Sequence, residues 1–211
     1  GGNGAAYGAS TNSGLGWAYN GDNGFSVSSN VVSKQNASNT GFLTDEAATN
    51  WSTQVAYTTD SYHVSLISAI KSNGWTDSYY TTTLGKARPD GNSTNYGLRA
   101  YWRPDDSGAA VPEISAGYDV STVEGQDADT DAYFVGLTWK DSFQADDKIG
   151  IAFGQPQTAD TDTEEPFAWE AYYSFKINDS VTMTPAVFGA SDRTGISCLL
   201  YTSPSPRDRN V

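Results

Sequence analysis

Cysteine, histidine and methionine occur once each in this 211-residue chain, and Lys and Arg number 12 against 25 Asp and Glu. No apolar run approaches 18 residues, which excludes a membrane-spanning helix. It does not exclude a membrane protein, because a barrel strand crosses with about 9–11 residues and one apolar face. A net charge of -13, with no basic cluster to offset it, repels nucleic acid. The lone histidine, His63, has Ser65 on its face but no convergent acid, so it reads as a solvated residue and no catalysis is expected. The acidic run Asp160 to Glu165, and Asp127, Asp129 and Asp131, lack the spacing and matched glycine of a calcium loop. They read as solvated loops, and neither metal nor cofactor is expected. Gly-rich segments fall at turns; none joins a strand to a helix as a phosphate loop does. No initiator methionine or signal peptide heads the chain, and its Gly-rich start reads as the interior of a longer protein.

What remains is a strand composition. Hydrophobic residues make up 37%, and even with glycine counted in place of tyrosine the share falls short of the usual 45–50% or so. Gly, Tyr, Trp, Ser, Thr and Asp are abundant, which suits strands with aromatic ends and polar turns. Ten stretches alternate apolar and polar residues. Short links (Gly21 to Asn23, Thr59-Asp60, Pro104 to Ala110, Asp141 to Asp146, Asn178 to Ser180) alternate with long ones (Lys34 to Thr49, Ser72 to Ser93, Ser121 to Thr130, Gln155 to Pro166). That rhythm predicts an all-β, antiparallel, up-and-down transmembrane β-barrel with about ten strands visible.

The apolar faces run Leu15, Trp17, Tyr19; Phe25, Val27, Ser29, Val31; Trp51, Thr53, Val55, Tyr57; and Tyr62, Val64, Leu66, Ser68, Ile70. They continue through the later hairpins, for example Tyr96, Leu98, Ala100, Trp102 and Tyr133, Val135, Leu137, Trp139, and none of their positions is charged. A cation facing lipid at mid-membrane costs about 2–4 kcal/mol, so a lipid face must be free of them. Aromatics crowd both ends of these faces: Tyr19, Tyr57, Tyr62, Trp102, Trp139 and Phe175 near short links, Trp51, Tyr96, Tyr133, Phe167 and Trp169 near long ones. Two aromatic girdles around an aliphatic band are expected of a barrel.

The opposite faces mix glycine with His63, Lys71, Arg99, Arg103, Glu113, Asp119, Lys140, Lys148, Glu170 and Lys176, the candidate pore lining. Arg99 and Arg103 against Glu113 and Asp119 either set opposed fields across a water path or pair across strands and brace the wall. The long link Ser72 to Ser93 holds Lys86 and Arg88 and is expected to fold inward as a constriction. Pro185 implies a bulge or a locally unpaired site in the last strand.

Residues 198–211 are set apart. Cys198 to Asp208 reads as one frame of a transposase adapter used in sequencing libraries, so 1–197 is taken as a partial barrel domain and the tail as non-native. Without that tail the chain has no thiol, and cysteine usage carries no information on redox compartment.

Three runs carry a family resemblance: Val135 to Phe143 (VGLTWKDSF), Ile149 to Pro156 (IGIAFGQP) and Trp169 to Phe188 (WEAYYSFKINDSVTMTPAVF). The last, an aromatic strand, a tight Asn-Asp-Ser turn and a Thr-Pro strand, is the most specific. From Phe134 onward the chain resembles cyanobacterial outer-membrane porins of the carbohydrate-porin (OprB-like) superfamily, also labelled iron-uptake porins. The resemblance implies an outer-membrane location, a larger barrel, a homotrimer, and peptidoglycan contact through a separate N-terminal domain. It also implies diffusion of small hydrophilic solutes and inorganic ions, iron and carbohydrates being the family's labels. The rival readings are a soluble all-β carbohydrate-binding or adhesive module using Trp75, Tyr79 and Tyr80, and a small outer-membrane enzyme centred on His63.

Overall fold

The computed structural model describes residues 13–34, 44–75, 92–124, 129–159, 167–191 and 193–202. Eleven strands form one sheet in chain order, each antiparallel to the next. They are β1 (Gly14–Asn20), β2 (Phe25–Lys34), β3 (Ala48–Thr58), β4 (Tyr62–Ser72), β5 (Ser93–Trp102) and β6 (Glu113–Val123). Then follow β7 (Thr130–Lys140), β8 (Lys148–Ala159), β9 (Ala168–Asn178), β10 (Val181–Ala190) and β11 (Arg193–Thr202). The expected up-and-down meander is therefore present.

Tight links have local chemical causes. Gly24 adopts φ 85°, where a side chain would be strained, and an added Cβ would lie 2.2 Å from the Thr58 carbonyl oxygen. Asn23 and Asn178 accept the N–H of Phe25 (3.2 Å) and Ser180 (2.9 Å), closing side-chain turns at two hairpins.

Register joins the ten apolar faces into one surface. One row of direct partners runs Tyr62, Trp102, Ile114, Leu137, Ile151, Ala171, Val187, Ile196. It starts at the first residue of β4 and finishes past the middle of β11, at the fourth residue from the opposite end. Such a drift means that the strands are inclined across the sheet, the stagger that barrel curvature requires. β1 and β11 are the edges, and the sheet is not closed among the described residues. Both are odd-numbered strands of a meander and run the same way, so pairing them would make a parallel ladder.

Three details depart from or refine the sequence reading. The strand count is eleven: β11 enters the segment set apart as a tail, because Ile196, Cys198 and Leu200 continue the alternation opposite Val187, Pro185 and Met183. That pairing follows from pattern and does not bear on the origin of residues 198–211. The link 103–112 is longer than 124–129, against the expected short-and-long alternation. It is held by hydrogen bonds from Ser107 N–H to Pro104 O (2.9 Å), Gly108 N–H to Val111 O (2.8 Å) and Lys140 N–H to Gly108 O (3.3 Å), the last made to β7. At Pro185 the β9–β10 ladder pairs Met183 with Phe175 and Ala186 with Tyr172, omitting the two residues between, and shifts register between Val181 and Thr182. A missing ladder donor accounts for the gap.

Candidate functional site: the polar face of the sheet

Successive side chains of a strand point to opposite faces, and here the two faces have exchanged their usual environments. The apolar face is exposed: Trp17 is 59% accessible, Leu66 51% and Leu98 45%. The polar face is covered toward the ends of β3–β6 that carry links 35–47, 73–92 and 124–129, while Lys148, Glu170 and Lys176 on the same face are exposed. Asn50 is 2% accessible, Lys71 1% and Asn95 0%. Asn95 Nδ2 donates to the Ala69 carbonyl (2.9 Å) and Ser93 Oγ (3.2 Å), and Ser52 Oγ donates to Asn50 Oδ1 (3.2 Å). Asp119 Oδ1, Ser121 Oγ and Trp75 Nε1 are buried without a partner among the described residues. Buried polar atoms are almost always satisfied by protein or water.

The polar-face candidates fall on this one face by register. His63 and Glu170 share a row through Tyr101, Ser115, Gly136 and Ala152. Lys71 is opposite Asn50 and Ser93, Arg99 opposite Ser65 and Gly117, Asp119 opposite Gly97, and Lys148 opposite Lys140 and Ser174. Glu113 pairs with Thr138 and Lys176 with Thr182. Arg103 follows β5, its guanidinium over the Tyr101 ring at 4.1 Å. Lys86 and Arg88 lie outside the described residues, as do Asp160 to Glu165.

Of the two readings of the charges, cross-strand pairing is what the geometry displays. Arg99 Nη2 meets Asp119 Oδ2 at 2.6 Å, while its Nη1 donates to the carbonyls of Leu98 (2.7 Å) and Tyr118 (3.3 Å). Gly117 makes room: a Cβ there would lie 2.3 Å from the Phe134 ring and 3.0 Å from Arg99. Glu113 receives Lys140 at 2.5 Å and Arg103 at 3.7 Å. Lys176 meets Asp146 at 2.7 Å. His63 Nδ1 is 2.7 Å from Thr58 Oγ1, and its ring stacks on Tyr101 at 5.2 Å. No carboxylate pairs with it among the described residues, and no group of three or more His, Cys, Asp or Glu there could hold a metal ion.

Several participants were not singled out from sequence. Asp147 sits in the link 141–147 and accepts N–H groups from Ser142 (2.7 Å), Phe143 (3.0 Å) and Gln144 (3.0 Å), and the Tyr173 hydroxyl (2.9 Å). Burial pushes its carboxyl up, but the Ser142, Tyr173, Gln144 and Phe143 donors together hold it below the ordinary value. Asp146 is held low by its hydrogen bond to Lys176 and by that cation's charge. Phe143 projects from the same link, 79% accessible, edge-on to Tyr173 at 5.7 Å. At the other end, Asn73 Nδ2 donates to the carbonyls of Asp45 and Ala47, its N–H donates to Asn92 Oδ1, and Asn92 donates to Glu124. This chain of amides ties the bases of three links together. A pattern search finds periodicity and motifs; it has no signal for contacts made between separate links. Trp75, offered by the binding-module reading as a sugar platform, is only 6% accessible. Lys34 packs over its ring at 4.6 Å. Tyr79 and Tyr80 lie outside the described residues.

The class defined by this geometry is an antiparallel meander with an exposed apolar face and a covered polar one. No family model matches the chain. No curated protein matches it either. Among solved structures the chain is similar to one described as "KdgM porin in complex with disordered oligogalacturonate", with 14% sequence identity, a TM-score of 0.41, and coverage of 90% of this chain and 91% of that one.

Proposed function

We propose that this protein is an outer-membrane β-barrel porin through which small hydrophilic solutes and inorganic ions diffuse, in a water-filled interior lined by the polar face. The observation that carries the reading is the exchange of faces: Trp17, Leu66 and Leu98 outward, Asn50, Lys71 and Asn95 inward. Fully burying a side chain such as Leu gains about 1.5–3 kcal/mol. A sheet that leaves a whole apolar face in water forgoes this at every strand, whereas lipid recovers it. The three unpartnered buried polar atoms suit an interior that holds water. Exposed aromatics at both ends, Tyr62 and Trp102 at one and Trp51 and Tyr96 at the other, suit the two headgroup levels.

Finer points rest on the family resemblance: iron salts or carbohydrates as solutes, a homotrimer as the assembly, a cyanobacterial source. The inward fold of Lys86 and Arg88 rests on link length and composition. The test is planar-bilayer recording of the protein expressed from its complete gene. Ohmic unitary steps are expected, and larger steps when Thr81–Gly91 is deleted. A detergent-independent soluble protein without conductance would refute the porin reading.

A further inference from the structure

Two aromatic side chains of the polar face lie along the sheet, where strand side chains ordinarily stand away from it. Tyr172 in β9 has Gly150 in β8 as a direct partner, and Gly150 has Thr138 in β7 as its own. Neighbouring strands are about 4.8 Å apart, yet the Tyr172 hydroxyl is 3.4 Å from Thr138 Oγ1, two strands away. The side chain therefore crosses β8 along the wall. Gly150 lets it cross: a Cβ there would lie 2.0 Å from Tyr172 Cε1, 2.2 Å from Cζ and 2.6 Å from the hydroxyl oxygen. Ala186, the partner of Tyr172 on the other side, carries a Cβ and offers no such room. Phe134 in β7 repeats the arrangement over its partner Gly117 in β6, where a Cβ would lie 2.3 Å from Cε1 and 3.0 Å from Cδ1 of the ring. The Arg99 guanidinium is 5.6 Å from the centre of that ring, so cation and ring share one recess. On the apolar face Trp169 lies over its partner Gly189 in the same way, with a Cβ there falling 2.7 Å from the indole Nε1.

We infer that Gly150 and Gly117 set the width of the pore, by seating the rings of Tyr172 and Phe134 against the wall and out of the water path. The inference deepens the porin reading and rests on it. In a barrel of given strand number and stagger the backbone radius is fixed, so the height of the inward side chains decides how much of the interior is left to solutes. A methyl group at either glycine removes the seat. The ring then has to lift, and with backbone beneath it the lift is inward. A role in wall stability alone would change how often channels form and not the size of each one.

The experiment is unitary conductance in planar bilayers, in potassium chloride, for the protein expressed from its complete gene. Gly150→Ala should give smaller steps than wild type, and Gly150→Ala combined with Tyr172→Ala should regain the lost conductance. Gly117→Ala should also give smaller steps. Gly189→Ala disturbs a ring on the opposite, lipid-facing side and should leave step size unchanged. Tyr172→Ala alone removes a ring without displacing one, so it does not depend on Gly150→Ala folding. Its steps should stay close to wild-type size, since a ring held against the wall takes little of the path. Unchanged steps in both Gly150→Ala and Gly117→Ala, or a large increase in Tyr172→Ala, would overturn the inference while leaving the porin reading intact. Absence of any unitary conductance from the wild-type protein would overturn both.

Discussion

Arg99 lies along the sheet instead of reaching away from it, because three acceptors on the wall hold its guanidinium: Asp119 and the carbonyls of Leu98 and Tyr118. A partly buried ion pair persists only when further hydrogen bonds complete it, and a glycine beneath it is what allows the flat arrangement. Glycine matters differently at Gly24, where positive φ coincides with a backbone oxygen in the space a Cβ would take. Gly24→Ala should destabilise the protein by about 1–3 kcal/mol, read as a lower urea midpoint for unfolding from detergent micelles. That Gly24 stands at a turn was legible from the residues around it, Gly21, Asp22 and Asn23. That Arg99 would be spent on the wall was not, since the residues that accept from it follow from strand register.

The link 141–147 shows at the scale of one element how a carboxylate organises a turn. Asp141 and Asp146 take positive φ (51° and 65°), and Asp147 gathers three consecutive N–H groups. These donors favour the charged form, so the folded carboxyl titrates below the unfolded value of about 3.9. A group depressed on folding contributes stability that is present above the unfolded value and is lost as pH falls through the folded one. Asp147→Asn should therefore lower the unfolding temperature at pH 7, and the difference from wild type should shrink below about pH 4. Thermal melts across that range check it. An effect that grows on acidification would contradict the assignment. Strand positions and their faces could be read from alternation alone, since the pleat has a period of two. The excess length of 103–112 could not, because its closing contact reaches Lys140 on a strand far along the chain.

Across the whole molecule the decisive fact is which face meets which medium. Leu66 is near the middle of β4 on the exposed face, and Gln54 is near the middle of β3 on the other. In a lipid-embedded barrel Leu66→Arg should cost about 2–4 kcal/mol. Gln54→Arg, facing water inside, should stay within about 0.5 kcal/mol. Comparing the folded fraction of the two variants in lipid vesicles checks the arrangement: equal tolerance of both would mean that the face carrying Leu66 meets water and not lipid.

By itself the sequence determined the strand periodicity, the membership of each face and the positions of the hairpin turns. These are local properties: a period of two, a turn residue and an uncharged apolar stripe each act over a few residues. Tertiary structure decided the rest. Register brought Lys140 opposite Lys148 and Arg99 within reach of Asp119. Stagger drew one pairing row from the end of β4 past the middle of β11. The assembled sheet buries Asn50, Lys71 and Asn95 on the polar face and leaves Trp17, Leu66 and Leu98 on the apolar face exposed. Periodicity says that a strand has two faces; only the pairing of many strands into one inclined sheet says which of them turns inward.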